Sequence, residues 1–247
     1  MQERIGNRML LAADIGNTST TFGVFKGRKL VRAWRASTGD ILSGKPVKLP
    51  GGVGRAIISS VVPKATPAVG RAISRKYGII PLILGKNIKA PIKNLYIKPG
   101  QVGQDRLVNA VAVKELYGYP AIVVDFGTAI TFDVISKKGE YLGGLIFPGI
   151  ETSLNALSEK AALLPSITVV PPKGLIGRET ADSMRSGVFH GIGALCDGII
   201  SLLEKKLGPM TVIATCGHAK VVSGFSRSIR HIDPHLTLKG LRIIAEK

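Results

Sequence analysis

The sequence predicts an α/β protein built from two similar domains, each with a mixed β-sheet covered by helices. The first observation is a pattern that occurs twice, at residues 11–18 and 123–128, where an apolar run ends in Asp-x-Gly-[Asn/Thr]. The second is that each copy leads into a further β-rich segment, and that Asp14 and Asp125 lie 111 positions apart in a chain of 247 residues. The third is the element order, in which strand triplets precede alternating helices and strands. Together these observations predict two duplicated domains that face each other across a cleft.

The same order of elements is predicted in both halves of the chain. For the first half we predict strands at 10–14, 20–25, 30–35, 56–62 and 81–84, and helices at 65–77 and 105–117. For the second half we predict strands at 121–125, 131–135, 141–147 and 211–215, and helices at 151–163, 180–207 and 238–245. Residues 37–55 are rich in Gly, Pro and Ser and have no helical period, which predicts a loop. The chain therefore divides into domains 1–118 and 119–247, with the last helix able to pack back on the first domain.

The charge of the chain is strongly basic and unevenly distributed. The formal net charge is +18, and residues 1–120 hold 20 Lys and Arg against 5 Asp and Glu, whereas residues 121–247 hold 14 against 11. A basic nucleic-acid-binding protein is therefore one alternative. The cations are scattered singly, however, without the interleaved aromatic residues of a stacking platform. Solubility and attraction of anionic ligands are the favoured interpretation.

Composition also indicates a cytoplasmic location. The apolar run before Asp14 is too short for a signal peptide. No stretch of about 18 uncharged apolar residues occurs, so we expect no membrane span. The two cysteines, Cys196 and Cys216, form neither a CxxC motif nor a disulfide framework, which fits a reducing compartment.

The first Asp-x-Gly turn has the composition of a phosphate-binding loop. A nucleotide phosphate needs backbone N–H groups close by, which Gly permits, together with small hydroxyl or amide side chains. These are supplied by Asp14, Ile15, Gly16, Asn17, Thr18, Ser19, Thr20 and Thr21. Asp14 could also hold a hydrated Mg²⁺, because one or two carboxylates with waters and phosphate oxygens suffice for this ion. An ordinary polar hairpin is the alternative for either copy alone. The presence of both copies favours a phosphate site.

Asp105-Arg106 is the second candidate site. In the functional interpretation, Asp105 is a general base that takes the proton of an attacking hydroxyl, and Arg106 holds an anionic substrate or the moving phosphoryl group. In the alternative, Asp105 at the first turn of a helix only caps that helix or complements its dipole. The local sequence leaves both interpretations open.

Seven blocks of residues occur in order along nearly the whole chain. They are Asp14-x-Gly16-Asn17-Thr18, Ile58-Ser59-Ser60-Val61-Val62-Pro63, Tyr96-x-x-Pro99-x-x-x-Gly103-x-Asp105-Arg106, Asp125-x-Gly127-Thr128, Gly143-Gly144-x-x-x-Pro148-Gly149, Gly177-Arg178-x-Thr180 with Ser186-Gly187, and Leu236-Thr237-Leu238-x-Gly240-Leu241. Together they resemble the type III pantothenate kinases. The resemblance implies two duplicated actin-like (ribonuclease H-like) domains, each with a mixed five-stranded sheet flanked by helices, and an active site in the cleft between them. It also implies ATP-dependent phosphorylation of pantothenate to 4'-phosphopantothenate, the first step of coenzyme A biosynthesis.

The resemblance implies a role for each candidate residue. ATP, or another phosphate donor, would contact the segment from Asp14 to Thr21 and Thr128, with Mg²⁺ held at Asp14 through water. Asp105 would be the catalytic proton acceptor, and Asp125 the ligand of an activating monovalent cation, K⁺ or NH₄⁺. Pantothenate would be bound by Tyr96, Gly103, Gln104, Asp105, Arg106 and Thr180. Similar kinases are homodimers, so a homodimer is implied, with no specific nucleic acid and no membrane as partner. A noncatalytic regulator on the same fold is the alternative, and the intact chemical residues argue against it.

Three positions depart from the family pattern. Lys98 and Glu179 stand where the family usually has Asn, and both adjoin the expected substrate pocket. Cys216 interrupts what is usually Thr-Gly-Gly, where the nucleoside of ATP is expected to pass. Separately, the two histidines of residues 231–235 could suggest a metal site, but Pro234 breaks the helical spacing and favours a surface loop.

Overall fold

The computed structural model describes residues 9–247, which form two five-stranded sheets and the helices that cover them. Their contacts divide the chain into a first unit, which runs through Leu116 and resumes at Leu236–Lys247, and a second unit, Tyr117–His235. The predicted division, 1–118 and 119–247, differs from this by two residues and by the last helix, which packs in the first unit. That the two domains face each other across a cleft stays a prediction.

The bounds of the elements are close to those predicted for the longer segments. In chain order the strands are β1 (Met9–Ile15), β2 (Ser19–Lys26), β3 (Lys29–Ser37), β4 (Val53–Ser60), β5 (Leu82–Ile83), β6 (Ala121–Phe126), β7 (Ala129–Ile135), β8 (Tyr141–Pro148), β9 (Thr211–Thr215) and β10 (His231–Ile232). The helices are α1 (Thr38–Leu42), α2 (Thr66–Tyr77), α3 (Gln104–Leu116), α4 (Ile150–Lys160), α5 (Thr180–Leu207), α6 (Ala219–Val222) and α7 (Leu236–Glu246).

The first unit contains a sheet with the strand order β3-β2-β1-β4-β5. β1 to β3 form an antiparallel meander, and β4 and β5 run parallel to β1. β1 is apolar on both faces because both faces are covered. Leu11 and Ala13 pack in a core with Val69 and Ile73 of α2, whereas Ala12 lies on the other face, in the core that includes residues of α3 and α7.

The last helix, α7, is tied to the first unit by polar contacts as well as by its apolar face. Thr237 Oγ1 donates a hydrogen bond to Asn109 Oδ1 of α3 at 2.8 Å. The Arg55 guanidinium of β4 donates to the Ala245 carbonyl. Both α3 and β4 are distant from α7 in sequence, so these contacts form only in the folded chain.

The sheet of the second unit has the strand order β8-β7-β6-β9-β10. This order matches that of the first sheet strand for strand. β6 to β8 are antiparallel, and β9 and β10 run parallel to β6. The two Asp-x-Gly turns thus occupy equivalent positions, between the first two strands of each meander. This confirms the predicted fold class, two duplicated domains with mixed five-stranded sheets flanked by helices.

The long helix α5 is the core helix of the second unit. Met184, Phe189, Ile192, Cys196 and Ile200 are buried in one apolar cluster with β6, β7 and β9. Among the described helices, α5 is also the one that is long and apolar enough to cross a membrane, with a window of mean hydropathy 1.5 of which 33% is buried. No membrane span is predicted from the sequence. Because α5 packs in a core, its apolar composition is weak evidence for a membrane-spanning helix.

The short elements α1, α6 and β10 were not predicted, whereas the short strand β5 was. The loop prediction for residues 37–55 is wrong at both ends, because α1 forms at Thr38–Leu42 and β4 begins at Val53. The Ser37 hydroxyl accepts a hydrogen bond from the Asp40 N–H and so caps α1. With only five residues, α1 is too short to show a helical period.

Candidate active site

The first Asp-x-Gly turn is tight and is held by a buried threonine pair. The Gly16 N–H donates to the Ser19 carbonyl at 3.1 Å, which closes the turn between β1 and β2. Thr38 Oγ1 donates to the Gly16 carbonyl at 2.7 Å and lies 3.0 Å from Thr20 Oγ1. The composition of residues 37–55 predicts that Thr38 lies in a loop, whereas the structure places it at the start of α1. The available signal was Ser37-x-x-Asp40, a helix-start pattern that places Thr38 at the first helical position.

Not every residue of this turn can present its side chain to a ligand. Asn17 and Thr18 are exposed and Asp14 is half-buried at the end of β1. Ile15 and Thr20 are fully buried. At these two positions only backbone groups could contact a phosphate, whereas Asn17 and Thr18 could offer side chains.

The second Asp-x-Gly turn is built against the start of α4. The Gly127 N–H donates to the Ala129 carbonyl at 3.2 Å, and the Thr128 carbonyl accepts from the Gly149 N–H at 2.9 Å. A methyl group on Gly149 would lie 2.4 Å from the Gly127 carbonyl oxygen, so only glycine allows this approach. The Thr128 side chain is left exposed and Asp125 half-buried at the end of β6.

Asp105 lies in the first turn of α3 and is tied to its own helix. Its Oδ1 accepts a hydrogen bond from the Arg106 N–H at 2.9 Å. Burial raises the pKa of this carboxyl above its ordinary value of 3.8, although the Arg106 N–H and guanidinium oppose the shift. The hydrogen bond from the Arg106 N–H supports part of the helix-capping interpretation. Capping does not explain, however, why the carboxylate is buried, since burial disfavours its charged form. A raised carboxyl pKa is what a general base needs.

The Asp105 and Asp14 segments meet the same edge of the first sheet. The Val61 N–H, which directly follows β4, donates to the Ile15 carbonyl at 3.1 Å, so β1 and β4 end side by side. A methyl group on Gly103 would lie 3.5 Å from Val61 Cγ1 and 2.4 Å from Asp105 Oδ1. The segment before α3 therefore lies against Val61 at this edge, and glycine at 103 leaves room for the Asp105 carboxylate.

The other residues expected to bind pantothenate are divided between the units. Tyr96 is half-buried in the first unit, where its N–H donates to Asn94 Oδ1 at 2.9 Å. Arg106 is 8% exposed. Thr180 begins α5 of the second unit and is exposed.

The loop before Thr180 is fastened to α5. A methyl group on Gly177 would lie 2.3 Å from the Ser183 nitrogen. Ser186 Oγ donates to the Leu175 carbonyl at 2.5 Å. These contacts explain why the Gly177-Arg178-x-Thr180 block and Ser186 occur together.

Asp14 and Asp125 are the carboxylates that the two turns offer to cations. In residues 9–247 no group of three or more His, Cys, Asp or Glu side chains could hold a metal ion. His231 lies in β10 and His235 follows it, so the metal interpretation of residues 231–235 has no support within this range. Asp14 and Asp125 each stand at a strand end beside a tight backbone turn. Such single carboxylates fit ions that take most of their ligands from water, phosphate or backbone carbonyls.

Cys216 follows β9 in a strained backbone conformation. Its φ is 71°, and it is the non-glycine residue with a positive φ among those described. This region favours glycine. Cys216 therefore holds, at an energetic cost, a backbone conformation that glycine adopts more readily.

Comparison with known proteins decides the family. A sequence model of type III pantothenate kinases matches residues 10–202. A type III pantothenate kinase from Myxococcus xanthus is 41% identical and covers 96% of this chain and 97% of its own length. One from Moorella thermoacetica is 42% identical and covers 97% and 99%. The chain belongs to the type III pantothenate kinase family.

Solved structures support the fold of this type III pantothenate kinase family member. A structure described as a conserved Baf family transcriptional activator from Campylobacter jejuni has a TM-score of 0.63 at 22% identity, covering 96% of this chain and 97% of that chain. The activator of 2-hydroxyisocaproyl-CoA dehydratase from Clostridium difficile has a TM-score of 0.52 at 12% identity, covering 96% and 92%. At these identities the likeness concerns the fold alone. Neither the regulator nor the nucleic-acid-binding alternative gains support.

Proposed function

We propose that this chain transfers a phosphoryl group from ATP to pantothenate and forms 4'-phosphopantothenate, the first step of coenzyme A biosynthesis. The observation that carries the proposal is the Asp105 carboxylate, held at the start of α3 with a raised pKa. It lies in a member of the type III pantothenate kinase family whose Asp14-x-Gly16-Asn17-Thr18 turn is intact.

Asp105 acts as the general base. A carboxylate accepts the proton of the pantothenate hydroxyl as the oxygen attacks the terminal phosphorus of the donor. The hydrogen bond from the Arg106 N–H fixes one carboxylate oxygen and leaves the other for the hydroxyl. The raised pKa, caused by burial, strengthens Asp105 as a base.

The donor phosphates lie against the two Asp-x-Gly turns. Gly16, Asn17 and Thr18 offer backbone N–H groups and exposed polar side chains. Thr128 offers an exposed hydroxyl. Its turn is held by the close approach of Gly149, whose N–H donates to the Thr128 carbonyl. When bound, Mg²⁺ would neutralise phosphate charge, and Asp14 would hold it through water.

Asp125 binds the activating monovalent cation, K⁺ or NH₄⁺. Its carboxylate is half-buried at the end of β6, and backbone carbonyls of the adjacent turn are the other oxygens available to such an ion. The cation would offset phosphate charge beside Thr128.

Pantothenate is bound by Tyr96, Arg106 and Thr180, together with Gly103 and Gln104. The Arg106 guanidinium holds the substrate carboxylate, because arginine pairs with carboxylates through two parallel hydrogen bonds. Tyr96 supplies an aromatic surface for the apolar part of the substrate.

The active form is a homodimer in the cytoplasm. The outer strand β8 exposes three consecutive large apolar residues, Leu145 (39%), Ile146 (66%) and Phe147 (38%). An exposed apolar edge strand invites pairing with another chain. Changing Ile146 to Lys should therefore yield monomers in light scattering, while an unaltered dimer would place the contact elsewhere.

The proposed function is tested by a donor and acceptor screen. Purified protein is incubated with Mg²⁺ and each of ATP, GTP and polyphosphate, with pantothenate or a control alcohol, with and without K⁺. Mass spectrometry should find 4'-phosphopantothenate with ATP, and more of it with K⁺. No phosphorylated pantothenate with any donor would contradict the proposal.

A further inference from the structure

Ser59 of β4 has a buried hydroxyl with an unused hydrogen-bonding capacity. The residue is fully buried, and its Oγ has no hydrogen-bond partner among residues 9–247. Buried side-chain hydroxyls are nearly always hydrogen-bonded, and an unsatisfied one destabilises the fold. Alanine would fill almost the same volume without that cost, so packing alone does not explain the serine.

The strand register places Ser59 beside Asp14. β4 runs parallel to β1, and Ser59 is the direct partner of Asp14 in the pairing. Alternation along the strands puts both side chains on the same face of the sheet, two residues beyond Ala12 and Ile57, which share one apolar core. Neighbouring strands lie about 4.8 Å apart, so a serine hydroxyl can reach the carboxylate.

The neighbouring Ser60, in the same strand, has a hydroxyl that is hydrogen-bonded within the fold. Its Oγ accepts hydrogen bonds from the Val62 N–H at 3.0 Å and from Thr66 Oγ1 at 2.7 Å. These bonds shape the turn from β4 into α2. Ser60 therefore provides a matched control, because its hydroxyl has a structural use that Ser59 lacks.

We propose that Ser59 is a positioning residue for Asp14, donating its hydroxyl proton to the Asp14 carboxylate when the nucleotide and Mg²⁺ are bound. The inference rests on the proposed function, in which Asp14 holds the metal through water. A carboxylate has about four acceptor positions, so Asp14 can take this bond besides its other contacts. The bond fixes one carboxylate oxygen and aims the other at the metal-bound water. Partners that orient a metal-binding carboxylate typically contribute 10- to 100-fold to metal affinity or activity.

The test compares Ser59→Ala and Ser59→Cys with Ser60→Ala. The thermal midpoint is measured without ligand and with Mg²⁺ and a nonhydrolysable ATP analogue, and the Mg²⁺ dependence of phosphoryl transfer is measured separately. Ser59→Ala should be at least as stable as wild type without ligand. It should lose most of the Mg²⁺-nucleotide stabilisation and need about tenfold more Mg²⁺. Ser59→Cys keeps the volume but is a weak donor, so it should behave like Ser59→Ala.

Ser60→Ala should give the opposite pattern, with lower stability and an unchanged Mg²⁺ requirement. Unchanged nucleotide stabilisation and Mg²⁺ dependence in Ser59→Ala would overturn the inference, and so would a loss of ligand-free stability as large as that of Ser60→Ala. The thermal shift needs no pantothenate, so it reports on Ser59 even if another compound is the acceptor. Absence of turnover in the wild type would count against the proposed function alone.

Discussion

At the scale of single residues, Asp105 combines a chemical role with an energetic penalty. Burial raises its pKa, so the ionised form is less favourable in the folded chain than in the unfolded one. A carboxyl whose folded pKa is raised contributes stability below its unfolded pKa, and this is lost as the pH rises through the folded pKa. At neutral pH the ionised Asp105 therefore destabilises the fold.

Asp105→Asn should be more stable than wild type at pH 7, by about 1 kcal/mol. The amide keeps the acceptor for the Arg106 N–H and removes the buried charge. For a chain of this size the gain corresponds to about 2–4 °C in thermal midpoint. Thermal unfolding at pH 7 and at pH 4 checks it, and the gain should shrink at the lower pH, because protonation of the wild-type carboxyl removes the buried charge. Equal gains at both pH values would show that charge burial is not the cause.

Cys216→Gly should also stabilise the protein, by up to about 1 kcal/mol. Glycine relieves the left-handed backbone at φ 71°, and its greater freedom in the unfolded chain offsets part of the gain. Cys216→Ala is the matched control, because alanine keeps the strain. Chemical denaturation should rank glycine above both cysteine and alanine, and a glycine variant no more stable than alanine would contradict the strain argument.

At the candidate site, local sequence motifs show the candidate chemical residues but not the residues that support them. Asp14, Asp105 and Asp125 are visible because motifs are local in sequence. Thr38, which anchors the Gly16 carbonyl, and Ser59, which lies beside Asp14, act across 22 and 45 positions in the chain. Such contacts depend on strand register and helix placement, which no local pattern encodes.

At the scale of elements, the N-terminus of α5 lacks a side-chain cap. Glu179 stands at the N-cap with extended backbone and no side-chain hydrogen bond to the helix. Asparagine is among the best N-cap residues because its short side chain reaches the free N–H groups of the first turn.

Glu179→Asn should therefore stabilise the protein by about 0.5–2 kcal/mol. Glu179→Gln removes the same charge without supplying a cap, so it should change stability much less. Urea unfolding of the two variants separates capping from charge. If Gln and Asn stabilise equally, the effect is electrostatic and the capping argument fails.

Long elements were predictable, and among the short ones β5 was predicted whereas α1, α6 and β10 were not. The periodicity of α2, α3 and α5 and the apolar runs of β1 and β6 predicted these elements within a few residues. The two residues of β10 and four of α6 are stabilised by packing and by pairing with β9, not by their own sequence. The packing of α7 in the first unit, which the sequence prediction allowed, likewise depends on distant partners in α3 and β4.

At the scale of the whole molecule, positive charge is concentrated in the first unit. Residues 41–104 contain eleven Lys and Arg and no Asp or Glu. Both proposed substrates are anions, so this field should attract them, and salt should screen the attraction.

The value of kcat/KM for ATP should fall severalfold between about 0.05 M and 0.5 M ionic strength, with a smaller change in kcat. Choline chloride sets the ionic strength while K⁺ is held constant, so that cation activation does not confound the result. A value of kcat/KM independent of salt would show that the basic stretch does not serve substrate attraction.

The most direct test of the central claim is the rate of 4'-phosphopantothenate formation by wild type and Asp105→Asn, with saturating ATP, Mg²⁺ and K⁺. Asp105→Asn should fold, bind the nucleotide as wild type does, and lose 10²- to 10⁴-fold in kcat, as expected for removal of a general base. Wild-type turnover of pantothenate that persists undiminished in folded Asp105→Asn would contradict the role of Asp105.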